Sequence, residues 1–137
     1  MKLADRRYAY RSYPIGLPSS DPAEIGWAAG LYEGEGTFHP NYTKDGIYFR
    51  MAINMTNRGV LEKFQRIVGC GSITGPYTPS NPRWSQTYTW RIGAYEGVQQ
   101  VVNLLWDHLS PERQEQILRV YSEVTDQGQA AMTRGEI

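Results

Sequence analysis

Hydrophobic and polar positions change period several times along the chain. Asp21-Pro22-Ala23-Glu24 carries the signals of a helix start: Asp at the N-cap, Pro at the first helical position and Glu three residues after the cap. This helix is predicted to run to about Glu33 and to end at Gly34 and Gly36. Thr37 to Thr43 then alternates, as does Ile47 to Thr56, with Lys44-Asp45-Gly46 between them as a hairpin turn. In the second strand Ile47, Phe49, Met51, Ile53 and Met55 form an apolar face. Tyr48, Arg50, Ala52, Asn54 and Thr56 form the other. Val60, Leu61, Phe64, Ile67 and Val68 recur with helical spacing up to Gly69.

The second half repeats the theme. Strands are predicted at about Gly71 to Tyr77 and Trp84 to Gly93, joined through Pro79-Ser80-Asn81-Pro82. Val98, Val101, Val102, Leu105 and Leu109 mark a third helix. Ser110-Pro111-Glu112 caps a fourth that carries Ile117, Leu118, Tyr121 and Val124. The order is helix, two strands, helix, two strands, then helices. That order predicts an α+β fold, a four-stranded antiparallel sheet with helices on one face. Residues 1–20, rich in Arg and Tyr, read as a basic aromatic arm, 21–125 as the folded domain and 126–137 as a polar, frayed tail.

Composition narrows the class. A chain of 137 residues with 40% hydrophobic content makes one domain with a real core. No apolar run approaches the roughly 20 residues that span a bilayer, so no membrane association is expected. Cys70 is the single cysteine and cannot form an intramolecular disulfide, which makes a cytoplasmic location the default. The formal net charge is +0, which at first argues against nucleic acid. Its distribution reverses that reading. Segments 1–20, 37–58 and 72–93 hold nine basic residues (Lys2, Arg6, Arg7, Arg11, Lys44, Arg50, Arg58, Arg83, Arg91) and two acids, Asp5 and Asp45. A neutral protein with one basic face can still bind phosphates.

The candidate chemistry lies in WAAGLYEGEG, Trp27 to Gly36. Ala29 and Gly30 on one helix face allow a second helix backbone to approach closely. The helix then ends in Glu33 and Glu35, set between glycines. Carboxylates at a helix C-terminus oppose the dipole and repel each other, an arrangement that a hard divalent cation such as Mg2+ would relieve.

This stretch, present once, resembles the motif of the LAGLIDADG homing endonucleases, and the αββαββα order around it strengthens the resemblance over about residues 21–125. The resemblance implies a saddle-shaped sheet lying in the DNA major groove. It also implies a homodimer whose two-fold axis runs between paired motif helices. Trp27, Ala29, Gly30 and Glu33 are then the dimer-interface positions. Glu35 takes the place of the metal-binding acid, with Gly34 beside it, and Mg2+ is the implied cofactor. Asn57 matches a polar position that orders active-site water, and Arg113 is the candidate basic residue near the scissile phosphate.

Strand alternation points His39, Asn41 and Thr43, then Tyr48, Arg50 and Asn54, to one side. Ser72 and Thr74 follow, with Thr87, Thr89 and Arg91 from the last strand. These are the expected DNA-binding positions, Arg matching guanine and Asn adenine. Lys44 and Arg83 lie on loops and suit phosphate. The expected partner is double-stranded DNA, with no small-molecule substrate. The expected activity is a metal-dependent double-strand break in a long pseudo-palindromic site. A non-cleaving RNA maturase or DNA-binding regulator of the same fold is the second reading. A helix pair that serves dimerisation alone is the third.

Overall fold

Helix α1 (Pro22–Glu35) starts where the Asp21 carboxylate accepts the Ala23 N–H at 3.0 Å, with Pro22 in the first turn. This computed structural model describes residues 15–133, with side chains as far as Asp126. Strands β1 (Gly36–Thr43) and β2 (Gly46–Met55) follow α1 with no intervening linker. Then come helix α2 (Arg58–Val68), strands β3 (Ser72–Tyr77) and β4 (Thr87–Ile92), and helix α3 (Tyr95–Leu105). A short 3-10 turn at Trp106–His108 leads into helix α4 (Pro111–Thr133).

The four strands form one antiparallel sheet in the order β1-β2-β4-β3. Cross-strand partners share a face, so the register sorts the side chains. Gly36, Ile53, Trp90 and Ile73 make one row, and Thr37, Ala52, Arg91 and Ser72 make the next, on the other face. The register also puts the two hairpin tips at opposite ends of the sheet. The 44–45 turn lies at one end, and the 78–86 loop at the end where α1 enters.

The apolar face carries Phe38, Phe49, Met51, Ile53, Trp90 and Ile92, all buried against Leu61, Phe64, Ile67, Val98, Val101, Leu105, Ile117 and Val120. Each such side chain contributes about 1.5–3 kcal/mol of burial. Trp90 anchors the layer: its indole N–H donates to the Cys70 carbonyl at 2.9 Å, and Phe64 meets the ring edge-on. Burial pushes the Cys70 thiol up to about 11, which leaves it a core side chain rather than a nucleophile.

Several boundaries differ from the sequence expectation: β4 starts at Thr87 rather than Trp84, and α3 ends at Leu105 before Leu109. Helix α1 continues through Gly34 to Glu35, where Arg113 of α4 takes the carbonyls of Glu33 and Gly36. The final helix runs to Thr133, past the boundary drawn at 125. Residues 15–20, grouped with the arm, are tied to α2: the Gly16 N–H donates to the Gly69 carbonyl at 2.6 Å and the Ser19 N–H to that of Ile67 at 2.8 Å. The arm's basic and aromatic residues, Lys2 to Tyr13, lie outside the described residues.

Candidate nucleic-acid interface and carboxylate site

The C-terminus of α1 is held by a clasp from α4. One Arg113 guanidinium nitrogen, Nη2, donates to the carbonyls of Tyr32 (3.4 Å), Glu33 (3.1 Å) and Gly36 (2.9 Å). The Tyr32 oxygen also accepts the Gly36 N–H, whereas the last carbonyls of a helix otherwise lack intrahelical donors. Nη1 donates to Gln116 Oε1 at 2.8 Å, and the guanidinium lies 5.1 Å from the Tyr32 ring centroid. Tyr32, buried beneath it, donates its hydroxyl to the Thr37 carbonyl at 2.9 Å, and burial pushes that hydroxyl's pKa up. Gly36 must be glycine here, since a Cβ would stand 2.5 Å from the Tyr32 carbonyl oxygen.

Glu33 completes the clasp from the other side. Its two carboxylate oxygens accept the Ser110 N–H at 2.7 Å and the Ser110 hydroxyl at 2.9 Å, at the start of α4. The Ser110 N–H, then its hydroxyl and the Arg113 charge, hold the Glu33 carboxyl below the usual range despite partial burial. Arg113 and Glu33 are thus both engaged within the chain: Arg113 on the carbonyls at the end of α1, and Glu33 on Ser110, the N-cap of α4. Asn57 is likewise an N-cap, accepting the Val60 N–H at 3.3 Å.

Glu35 is different. It is exposed at the last position of α1, and its carboxylate has no hydrogen bond or ion pair among the described residues. A lone negative charge at a helix C-terminus opposes the dipole. No cluster of three His, Cys, Asp or Glu that could hold a metal exists among the described residues, and the neighbouring Glu33 carboxylate is taken by Ser110. Arg113 takes the carbonyls on either side of Gly34 and Glu35.

The expected helix interface is corrected in part. Ala29 is 1% exposed and faces this chain's own core, so it is not available to a second copy. Trp27 is half-buried, with the Lys63 ammonium 4.1 Å from its ring centroid. The open stripe is Gly26, Gly30 and Gly34, where a Cβ would meet nothing within 4 Å. Their i, i+4 spacing puts them on one side of α1. Gly26 carries the signal the sequence reading passed over.

On the sheet's uncovered face the register assembles every strand residue expected there. His39 pairs with Arg50, Asn41 with Tyr48, Asn54 with Thr89, Arg91 with Ser72, and Thr89 with Thr74. Thr43 and Thr87 lie at the opposite ends of the face. Thr37 and Ala52 belong to it too, Ala52 being 2% exposed beneath its neighbours. Asn54 accepts the Thr89 hydroxyl, which fixes the Asn54 side chain across two strands. None of the four strands contains Asp or Glu, whereas Arg50 and Arg91 both sit on this face. Lys44 and Arg83 are exposed at the opposite hairpin tips.

The order of helices and strands around one open antiparallel sheet matches the α+β fold of solved LAGLIDADG homing endonucleases. Solved structures show the likeness. The intron-encoded homing endonuclease I-CeuI, complexed with DNA, aligns at TM-score 0.61 and 14% identity over 96% of this chain and 67% of its own. The homing endonuclease I-TnaI aligns at 0.59 and 18% identity, over 87% and 77%. The archaeal intron-encoded homing endonuclease I-Vdi141I, complexed with DNA, aligns at 0.51 and 22% identity over 63% of this chain, which spans 55% of its length. No protein-family model matches the chain, and no curated protein does. No helix among the described residues is long and apolar enough to cross a membrane.

Proposed function

We propose that the chain is a site-specific DNA endonuclease of the homing type. It acts as a homodimer and makes a metal-dependent double-strand break in a long pseudo-palindromic site. The observation that carries this reading is the continuity of two features. An unpaired carboxylate, Glu35, ends α1, and the next residues begin a strand face that has arginines and no acids. A duplex along that face would meet donors suited to base edges (Arg50, Arg91, Asn41, Asn54) and, at the tips, cations suited to phosphate (Lys44, Arg83).

The glycine stripe of α1 accounts for the second copy. Two such stripes can cross at close range and bring both Glu35 carboxylates toward one axis, so that each chain supplies one acid. A hard divalent cation such as Mg2+ fits a carboxylate with phosphate oxygens and water around it, Gly34 leaving room beside it. Such an ion would activate water and stabilise the leaving oxygen. The protein's own residues hold the acid in place: Arg113, Tyr32 and Gly36 fix the last turn of α1, so Glu35 points from a rigid end.

The test is cleavage selection from a randomised duplex library with Mg2+, and with Ca2+ or EDTA in parallel. Recovery of a near-palindromic site cut with Mg2+ and only bound with Ca2+ is the expected outcome. Binding without cutting under every metal would move the chain to the regulator or RNA maturase reading. The dimer has its own check. Gly30→Leu puts a branched side chain where this chain has open space, so the fold should be kept while the mass in solution falls from dimer to monomer. A dimer unchanged in that variant would place the interface elsewhere.

A further inference from the structure

Strict alternation from Ser72 and Thr74 would put Tyr77 on the apolar face of β3. The pairing does otherwise. Ser72 faces Arg91 and Thr74 faces Thr89, but the next pair is Tyr77 with Thr87, three residues on in β3 against two in β4. A β-bulge at Gly75 and Pro76 absorbs the extra residue. Gly75 has φ 125°, and a Cβ there would stand 2.9 Å from the Thr87 carbonyl, so the irregularity is specific to glycine. Its effect is to carry Tyr77 onto the same face as Thr87, Thr89, Thr74 and Arg91.

Tyr77 is 70% exposed, and its hydroxyl makes no hydrogen bond among the described residues. A large aromatic left open is more informative than an exposed small side chain. This one is continuous with the acid-free face, at the Glu35 end of the sheet. Its neighbours across the strands are threonines, whose methyl groups and hydroxyls suit the edge of a base rather than a phosphate.

We infer that Tyr77 is a specificity-determining residue that reads the C5-methyl edge of a thymine in the major groove. This inference rests on the endonuclease reading above. The position along the duplex follows from the register. Polar-face rows are about 7 Å apart along a strand, the length of about two base pairs. Tyr77 lies two rows beyond Arg91 toward the Glu35 end. Its base should therefore lie about four base pairs nearer the centre of the site than the base read by Arg91.

The experiment compares the wild-type chain with Tyr77→Ala and Arg91→Ala in library selection under Ca2+, then measures affinity on the selected site with thymines replaced singly by deoxyuridine. The expected result is a loss of thymine preference in Tyr77→Ala at one position per half-site, centre-ward of the position relaxed in Arg91→Ala. Deoxyuridine there should weaken wild-type binding several-fold and leave Tyr77→Ala unaffected. Tyr77→Phe keeps the ring and should keep the preference. A wild-type site recovered with the same preferences in Tyr77→Ala overturns this inference and leaves the endonuclease reading standing. Recovery of no site by the wild-type chain overturns both.

Discussion

Glu35→Gln is expected to bind the selected DNA site with nearly wild-type affinity and to cut it at least about 10³-fold more slowly. The substitution keeps the size and hydrogen-bonding reach of the side chain and removes its negative charge. Because Glu35 is exposed and its carboxylate makes no hydrogen bond or ion pair among the described residues, the change should disturb no polar partner. Stability should be unchanged or slightly raised, since a charge that opposes the helix dipole is gone. Glu33→Gln is the informative contrast. It weakens a cap onto Ser110 and should act through stability rather than chemistry. Single-turnover cleavage alongside DNA binding separates the two, and normal cutting by Glu35→Gln would falsify the assignment of the metal acid.

Arg113→Ala should be the most damaging polar substitution in the domain. It removes a charged donor from three main-chain oxygens and the cation above the Tyr32 ring together. Bonds to a charged group contribute more than neutral ones, and carbonyls left half-buried without a donor cost more again. A loss of about 3 kcal/mol is expected, read as a fall of about 10 °C in thermal midpoint. Arg113→Lys should recover part of it, because one ammonium cannot span all three oxygens. If Arg113→Ala melts normally and fails only in cleavage, the residue belongs with the phosphate, where the sequence resemblance places it, and the clasp is secondary.

The elements were legible in the sequence because each carries a local signal. Asp21 and Pro22 open α1, Ser110 and Pro111 open α4, and strict alternation from Ile47 to Met55 separates the two sides of β2. The pairing order could be inferred from two hairpins. Its offset at Gly75 and Pro76 could not, since a bulge needs a partner strand to define it. The carboxylate at position 35 was visible as an acid between glycines. The engagement of Arg113 as a cap was hidden for a different reason. Capping depends on which helix ends meet, and Arg113 lies 77 residues from the Gly36 carbonyl that it holds. Ala29 was misplaced because Ala and Gly look equivalent on a helix wheel. Only the fold decides which side of α1 faces inward.

The direct passage from α1 into β1, without a spacer between Glu35 and Gly36, restricts how such a protein could acquire new targets. One residue inserted there would turn every following side chain of β1 to the wrong side of the sheet. A deletion would drag the acid off its axis. Within the strand pairs, lengthening is tolerable in the 44–45 turn and the 78–86 loop. On the proposed function, retargeting by natural drift or by engineering would therefore proceed letter by letter, through substitutions on the exposed strand positions, with the hinge-free junction kept at its length.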